Sequence, residues 1–161
     1  MENTGWEKID HVGQGCFGCG PDNPHGLRMS FETNGEKLRS LVVIPDHLRG
    51  WHNIVHGGIL STICDEIMAW SAIHFLRRFI LTKTIKTRFL KPVTTKSTIT
   101  AIGYVKEYKG RNSALMAGEI YDEDKKLCAV STGEFALFTS EAFRKLKIIP
   151  DEIVDEMAAM L

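Results

Sequence analysis

GGILSTICDEIMAWSAIHFL, residues 57–76, has no proline, no glycine after its first two positions, and apolar residues on almost every face. That pattern predicts a helix enclosed by protein on most sides. Asp65 and Glu66 sit in its middle, where a lipid-exposed span would cost several kcal/mol. The stretch therefore reads as the central helix of a folded core and not as a membrane crossing.

Strand character flanks it on both sides. LRMSFET (27–33) and KLRSLVVI (37–44) alternate imperfectly around Asn34-Gly35, as two strands of a hairpin would, and Pro45 ends the second. After the helix come ILTKTIKTRFLKPV (80–93), STITAIGYVKEY (97–108), SALMAGEIY (113–121) and KLCAVSTGEFALF (126–138). YKGRN and DEDKK separate the last three as hairpin connections. Four consecutive strands predict an antiparallel meander. The tail predicts helix again, with Ser140 as an N-cap and Pro150 in the first turn of DEIVDEMAAML. Residues 1–26 carry glycines and prolines at a density that reads as an irregular lead-in. The expected organisation is thus a lead-in (1–26), one α+β domain (27–138) and a helical tail (139–161). An antiparallel six-stranded sheet wraps one long central helix, with a C-terminal helix after it. Such a sheet has open edges and one uncovered face, so pairing with a second copy is expected.

With 161 residues, 43% of them hydrophobic, the chain can bury a core without staples. Twenty basic residues balance twenty acidic ones, which argues against a field that would gather nucleic acid or an anionic membrane. MENTGWEKIDHVGQG lacks the basic and apolar runs of a secretory signal, and a cytoplasmic location is expected. Cys16, Cys19, Cys64 and Cys128 are too few and too scattered for a disulfide framework. Cys64 and Cys128 read as core. Cys16 and Cys19 have zinc-ligand spacing, but no second Cys/His pair follows and two ligands do not make a structural site. A zinc shared between subunits is the one metal arrangement left open; no metal in the catalytic site is expected.

GWHNIVHGGILSTICDEIMAW (50–70), CFGCGPDNPHGLRM (16–29) and TRFLKPV (87–93) together resemble hotdog-fold thioesterases of the phenylacetate-degradation type, relatives of the 4-hydroxybenzoyl-CoA thioesterases. His-Gly-Gly with an acid nine residues after the histidine is the most specific part. The resemblance implies a hotdog fold and hydrolysis of an acyl-CoA, with an acyl-carrier-protein thioester as the lesser substrate. The Gly57 N–H would polarise the thioester carbonyl, and Asp65 would activate water or attack directly. Coenzyme A enters only as part of the substrate, with no other cofactor. The assembly would be a dimer or a dimer of dimers.

The residues support those roles independently. A helix start offers unpaired N–H donors, and glycine lets a ligand oxygen approach them. A carboxylate at Asp65 among Ile63, Cys64, Ile67 and Met68 is costly unless paired or functional. Glu66 lies about 100° further round the helix and reads as structural or ligand-orienting. Eight residues at 1.5 Å rise put Gly57 and Asp65 roughly 12 Å apart. A base must come within about 3.5 Å of its target, so Asp65 should serve a carbonyl held by Gly57 of a partner subunit.

The side-chain amide that in relatives assists the carbonyl falls here on Gly50, a departure that Asn53 or His52 of the same loop could make good. His56 reads as a cap or orienting residue. Gly58 completes the helix start beside the substrate. Thr82 matches a strand hydroxyl that in some relatives positions the attacking water. Lys91, Lys109 and Arg111 are candidate partners for coenzyme A phosphates. The competing readings are a hotdog dehydratase, disfavoured because those pair a histidine with a carboxylate, and a non-catalytic acyl-CoA binding module.

Overall fold

The computed structural model describes residues 5–161, so residues 1–4 of the lead-in lie outside the described residues. The strands are β1 (Glu7–Lys8), β2 (Glu32–Thr33), β3 (Leu38–Val43), β4 (Phe79–Phe89), β5 (Thr98–Tyr108), β6 (Ser113–Tyr121) and β7 (Leu127–Phe138). The helices are α1 (Gly57–Leu76), α2 (Ser140–Lys145) and α3 (Asp151–Ala158). The central helix therefore runs over the residues its composition predicts. It starts at the glycine pair and ends at Arg77, a left-handed cap whose N–H donates to the Ile73 carbonyl.

All strands join one antiparallel seven-stranded sheet in the order β1-β2-β3-β5-β6-β7-β4. Three sequence expectations need correction. The sheet has seven strands because Glu7–Lys8, inside the expected lead-in, pairs with Glu32–Thr33. The meander covers β5, β6 and β7 only; β4 pairs with β7 along ten registered positions and becomes the far edge. The tail forms two short helices. Thr139, not Ser140, caps α2 by accepting from the Ala142 N–H, and Pro150 stands just before α3. A helix end can move by one position without changing the hydrophobic pattern that a sequence reading follows.

One face of the sheet holds α1. Leu38 and Val42 of β3, Ile99 and Ala101 of β5, Met116 and Ile120 of β6, and Phe135 of β7 are buried against Ile63, Cys64, Ile67 and Met68 in one cluster. By length and composition alone α1 could cross a membrane, but it packs on β3 through β7. The approach is close enough to demand glycine. A Cβ at Gly103 would lie 2.5 Å from Ser71 Oγ and 2.6 Å from the Ile67 carbonyl oxygen, a backbone atom of the helix. Gly103→Ala should therefore push α1 off the sheet and cost about 1–3 kcal/mol, seen as a lower urea midpoint. An unchanged midpoint would contradict this packing.

The expected core cysteines Cys64 and Cys128 are both fully buried. A second small cluster joins Phe79, Phe143 and Val154, with Phe79 and Phe143 stacked at 4.8 Å, and ties the helical tail to the start of β4.

Candidate active site

The loop before α1 is pinned on both sides. Val55 N–H donates to the Val93 carbonyl at 2.8 Å, and His56 N–H donates to the Leu48 carbonyl at 3.1 Å. His56 is the N-cap: its Nδ1 accepts from the Gly58 N–H at 3.0 Å, so that nitrogen carries no proton. His56 thus caps the helix, and the Gly58 N–H is taken up by that cap. The Gly57 N–H, first in the helix, finds no acceptor among the described residues, and the first turn holds no acidic side chain. Gly57 lines a cleft of about 330 Å³ together with Ile54, Leu60, Phe89, Leu90 and Lys91. Phe89 closes one wall, with its ring edge 3.3 Å from where a Gly57 Cβ would stand. Sequence reasoning quoted Phe89 only within TRFLKPV and gave it no part; its period-2 placement on a strand end was the available signal.

Two helical turns on, Asp65 leaves the helix toward β4, and the Thr82 hydroxyl donates to its Oδ1 at 3.0 Å. Thr82 faces the helix because it pairs with the buried Phe135 across the ladder, and directly opposed residues share a face. The register then shifts: Thr82 opposes Phe135 and Thr84 opposes Glu134, so Lys83 is an extra residue in β4. A bulge of this kind re-aims the side chains beside it. Burial lifts the Asp65 carboxyl above the usual aspartate value, and the Thr82 hydrogen bond opposes the rise. The result is a half-buried carboxylate, oriented by one donor and proton-avid for its type, which are properties of a general base.

Glu66 does not join this pair. Its carboxylate turns to the other side of α1 and accepts from Trp70 Nε1 at 3.1 Å, as the 100° step between adjacent helical residues requires. Asn53 lies on the exposed loop with its carbonyl taken by the Thr95 N–H. Gly50, where the resemblance implies an amide, donates its N–H to the Ile54 carbonyl at 2.7 Å. Lys91 is exposed at the Gly57 cleft, while Lys109 and Arg111 are exposed in the β5–β6 hairpin. The expected phosphate contacts thus stand in two separate places within one chain.

A family model described as the thioesterase superfamily matches residues 52–129, a span that includes the Gly57 helix start, Asp65 and Thr82. The chain has the hotdog fold of the thioesterase superfamily. Solved hotdog structures align over most of it. A thioesterase of Haemophilus influenzae is 18% identical with a TM-score of 0.67, covering 83% of this chain and 94% of its own. The Escherichia coli PaaI protein from the phenylacetic acid degradation operon is 20% identical with a TM-score of 0.63, covering 70% and 80%. A hypothetical thioesterase from Streptococcus pneumoniae, solved with coenzyme A, is 18% identical with a TM-score of 0.60, covering 65% and 80%. No curated protein matches the sequence significantly. At these identities the likeness is one of fold, and the chemistry of this hotdog chain rests on its own residues.

Proposed function

We propose that the protein hydrolyses an acyl-CoA thioester to a carboxylic acid and free coenzyme A. Asp65 of one subunit activates water or attacks, and the Gly57 N–H of its partner holds the carbonyl oxygen. The observation that carries this reading is the pair of opposite preparations on one helix. Its start keeps a bare N–H donor at a cleft, and its middle keeps a proton-avid carboxylate fixed by Thr82. An N–H donor at a helix start stabilises the charge that develops on a thioester oxygen. A positioned carboxylate takes the proton of the incoming water.

The helix places the two ends roughly 12 Å apart along its axis, so they cannot serve one carbonyl from one chain. Strand β4 supplies the way they meet. It runs from Thr82, beside Asp65, to Phe89, beside Gly57, and its outer edge has no neighbouring strand among the described residues. On its helix side Ile85 and Phe89 are exposed, 40% and 53% respectively, because β4 is the last strand of the sheet. Two copies pairing these edges antiparallel would cover the apolar strip and bring each Asp65 toward the other's Gly57, with two equivalent sites per dimer. The same pairing would carry the Lys109–Arg111 hairpin of one chain, which lies on the Glu134 end of the sheet, toward Lys91 of the other. The three expected phosphate contacts would then line one groove.

The test is a panel of aliphatic and aromatic acyl-CoAs, with acyl-carrier-protein thioesters alongside, assayed for release of free thiol. Turnover of at least one acyl-CoA, abolished by Asp65→Asn, is expected. Binding of acyl-CoAs without thiol release would instead identify a non-catalytic binding module.

A further inference from the structure

The segment ahead of β2 takes no part in the proposed hydrolysis, yet it is tightly built against α1. Cys16-Phe-Gly-Cys19-Gly20 forms a compact turn in which the Cys16 N–H donates to the Gly13 carbonyl at 2.8 Å and the Gly20 N–H to the Cys16 carbonyl at 2.9 Å. A Cβ at Gly20 would collide with the Gln14 carbonyl oxygen and the Cys16 backbone, so the turn admits only glycine there. Cys19 is buried and Cys16 exposed.

Glu66 of α1 reaches into this turn. Its carboxylate oxygens stand 3.8 and 3.9 Å from Cys16 Sγ. Trp70 Nε1, one helical turn on, donates both to Glu66 Oε1 at 3.1 Å and to Cys19 Sγ at 3.3 Å. Gly18 is the residue over the carboxylate, and any Cβ there would clash with it. The two sulfurs and a Glu66 oxygen all lie within 4.8 Å of one another.

We propose that Cys16, Cys19 and Glu66 form a binding site for one zinc ion, which fastens the N-terminal loop to the Glu66 face of α1, about 100° round the helix from Asp65. In a tetrahedron with zinc–sulfur bonds of about 2.3 Å and zinc–oxygen bonds of about 2.0–2.2 Å, ligand atoms stand about 3.5–3.8 Å apart. The three atoms need to draw in by about 1 Å at most to reach that spacing. Two thiolates beside a carboxylate select a thiophilic divalent ion over magnesium or calcium. Both thiols lose their protons to solvent on binding, and the ion's charge of +2 meets three negative ligands, with water in the fourth position. The Trp70 N–H serves the charged forms, since it donates to a thiolate and a carboxylate at once. The site is separate from the proposed thioesterase chemistry and does not depend on it.

The test uses the full chain, reduced with a phosphine, stripped with a chelator and titrated with zinc or cobalt. One equivalent should bind, with about two protons released, and the cobalt form should show thiolate-to-metal charge-transfer absorption. Cys16→Ser changes only an exposed side chain and should fold as wild type. It should weaken zinc binding at least about 100-fold, beyond the loss caused by removing a mere hydrogen-bond partner of a ligand. Glu66→Gln should weaken it in the same direction, while Cys128→Ser, a buried thiol of β7 outside the cluster, should leave zinc affinity unchanged. Failure of the stripped chain to take up one equivalent would overturn the proposal, as would uptake that Cys16→Ser leaves at wild-type affinity.

Discussion

Asp65→Asn should lower kcat on the best acyl-CoA by at least about 10²-fold, the usual scale for a positioned acid–base group, while the protein folds and is at least as stable as wild type at neutral pH. Asparagine keeps the volume and an oxygen for the Thr82 hydroxyl, but it cannot take a proton. Its effect on stability follows from the direction of the pKa shift. Burial raises the folded-state carboxyl of Asp65 above its unfolded value. Below both values the group is neutral in the folded and unfolded chain, and wild type and the Asp65→Asn variant differ little. As pH rises, the unfolded chain ionises first, so wild type loses stability across the window from the ordinary aspartate value up to the raised folded one. The asparagine variant loses nothing there. Its melting temperature should therefore match wild type in acid and equal or exceed it at pH 7. The acid limb of kcat/KM in wild type should likewise fall with a midpoint above the ordinary aspartate value, since the free enzyme must hold Asp65 ionised. Wild-type turnover by Asp65→Asn would remove Asp65 from the mechanism. A variant less stable at pH 7 than in acid, relative to wild type, would show that the carboxylate is a structural partner and not a strained functional group.

How far such a site can be read from sequence depends on whether the signal is local. The helix from Gly57 to Leu76 was legible because its composition is apolar all round and a glycine pair marks its start, while the left-handed Arg77 that ends it leaves no signal in the sequence. Asp65 stood out because an acid among Ile63, Cys64, Ile67 and Met68 is costly unless paired or functional. Thr82 came from resemblance alone, as a hydroxyl that positions water, and its bond to Asp65 was not foreseen. The bond is made across the fold, and a threonine in a strand is ordinary. The position of β4 was missed for the same reason. Its pairing with β7 joins residues far apart in the chain, while alternation records only which face is buried. The N-terminal segment was read as irregular because glycine and proline dominate its pattern. Its order comes instead from Cys19, buried in the main core, and from Glu66, whose turn toward that segment no spacing within the helix could reveal.

Complementation between two inactive variants should restore roughly a quarter of wild-type activity, and this is the sharpest consequence of a site shared between subunits. One parent carries Asp65→Asn. The other carries Gly57→Pro, which deletes the proposed oxyanion donor, and local geometry favours its folding. Gly57 is the first helical residue, where proline is well accommodated and its missing N–H costs no intrahelical bond. The residue before it, His56, already has φ −63° and ψ 133°, the extended conformation that a following proline requires. A Cβ at position 57 meets the Phe89 side chain and not backbone, and Gly57→Ala, which keeps the N–H, controls for that contact. Each parent alone should lose at least about 10²-fold in kcat. After co-expression or joint refolding in equal amounts, about half the dimers are mixed. If each site takes Gly57 from one chain and Asp65 from the other, a mixed dimer gathers both lesions into one site and leaves the second intact. Half the dimers with one working site of two gives the quarter. If both groups acted within one chain, every site in a mixed dimer would carry a lesion. Activity no higher than the sum of the parents, with mixed dimers demonstrated by native mass spectrometry, would rule out the shared site. Because the rise of α1 keeps both groups of one chain from reaching a single carbonyl, that result would also remove one of the two from the mechanism.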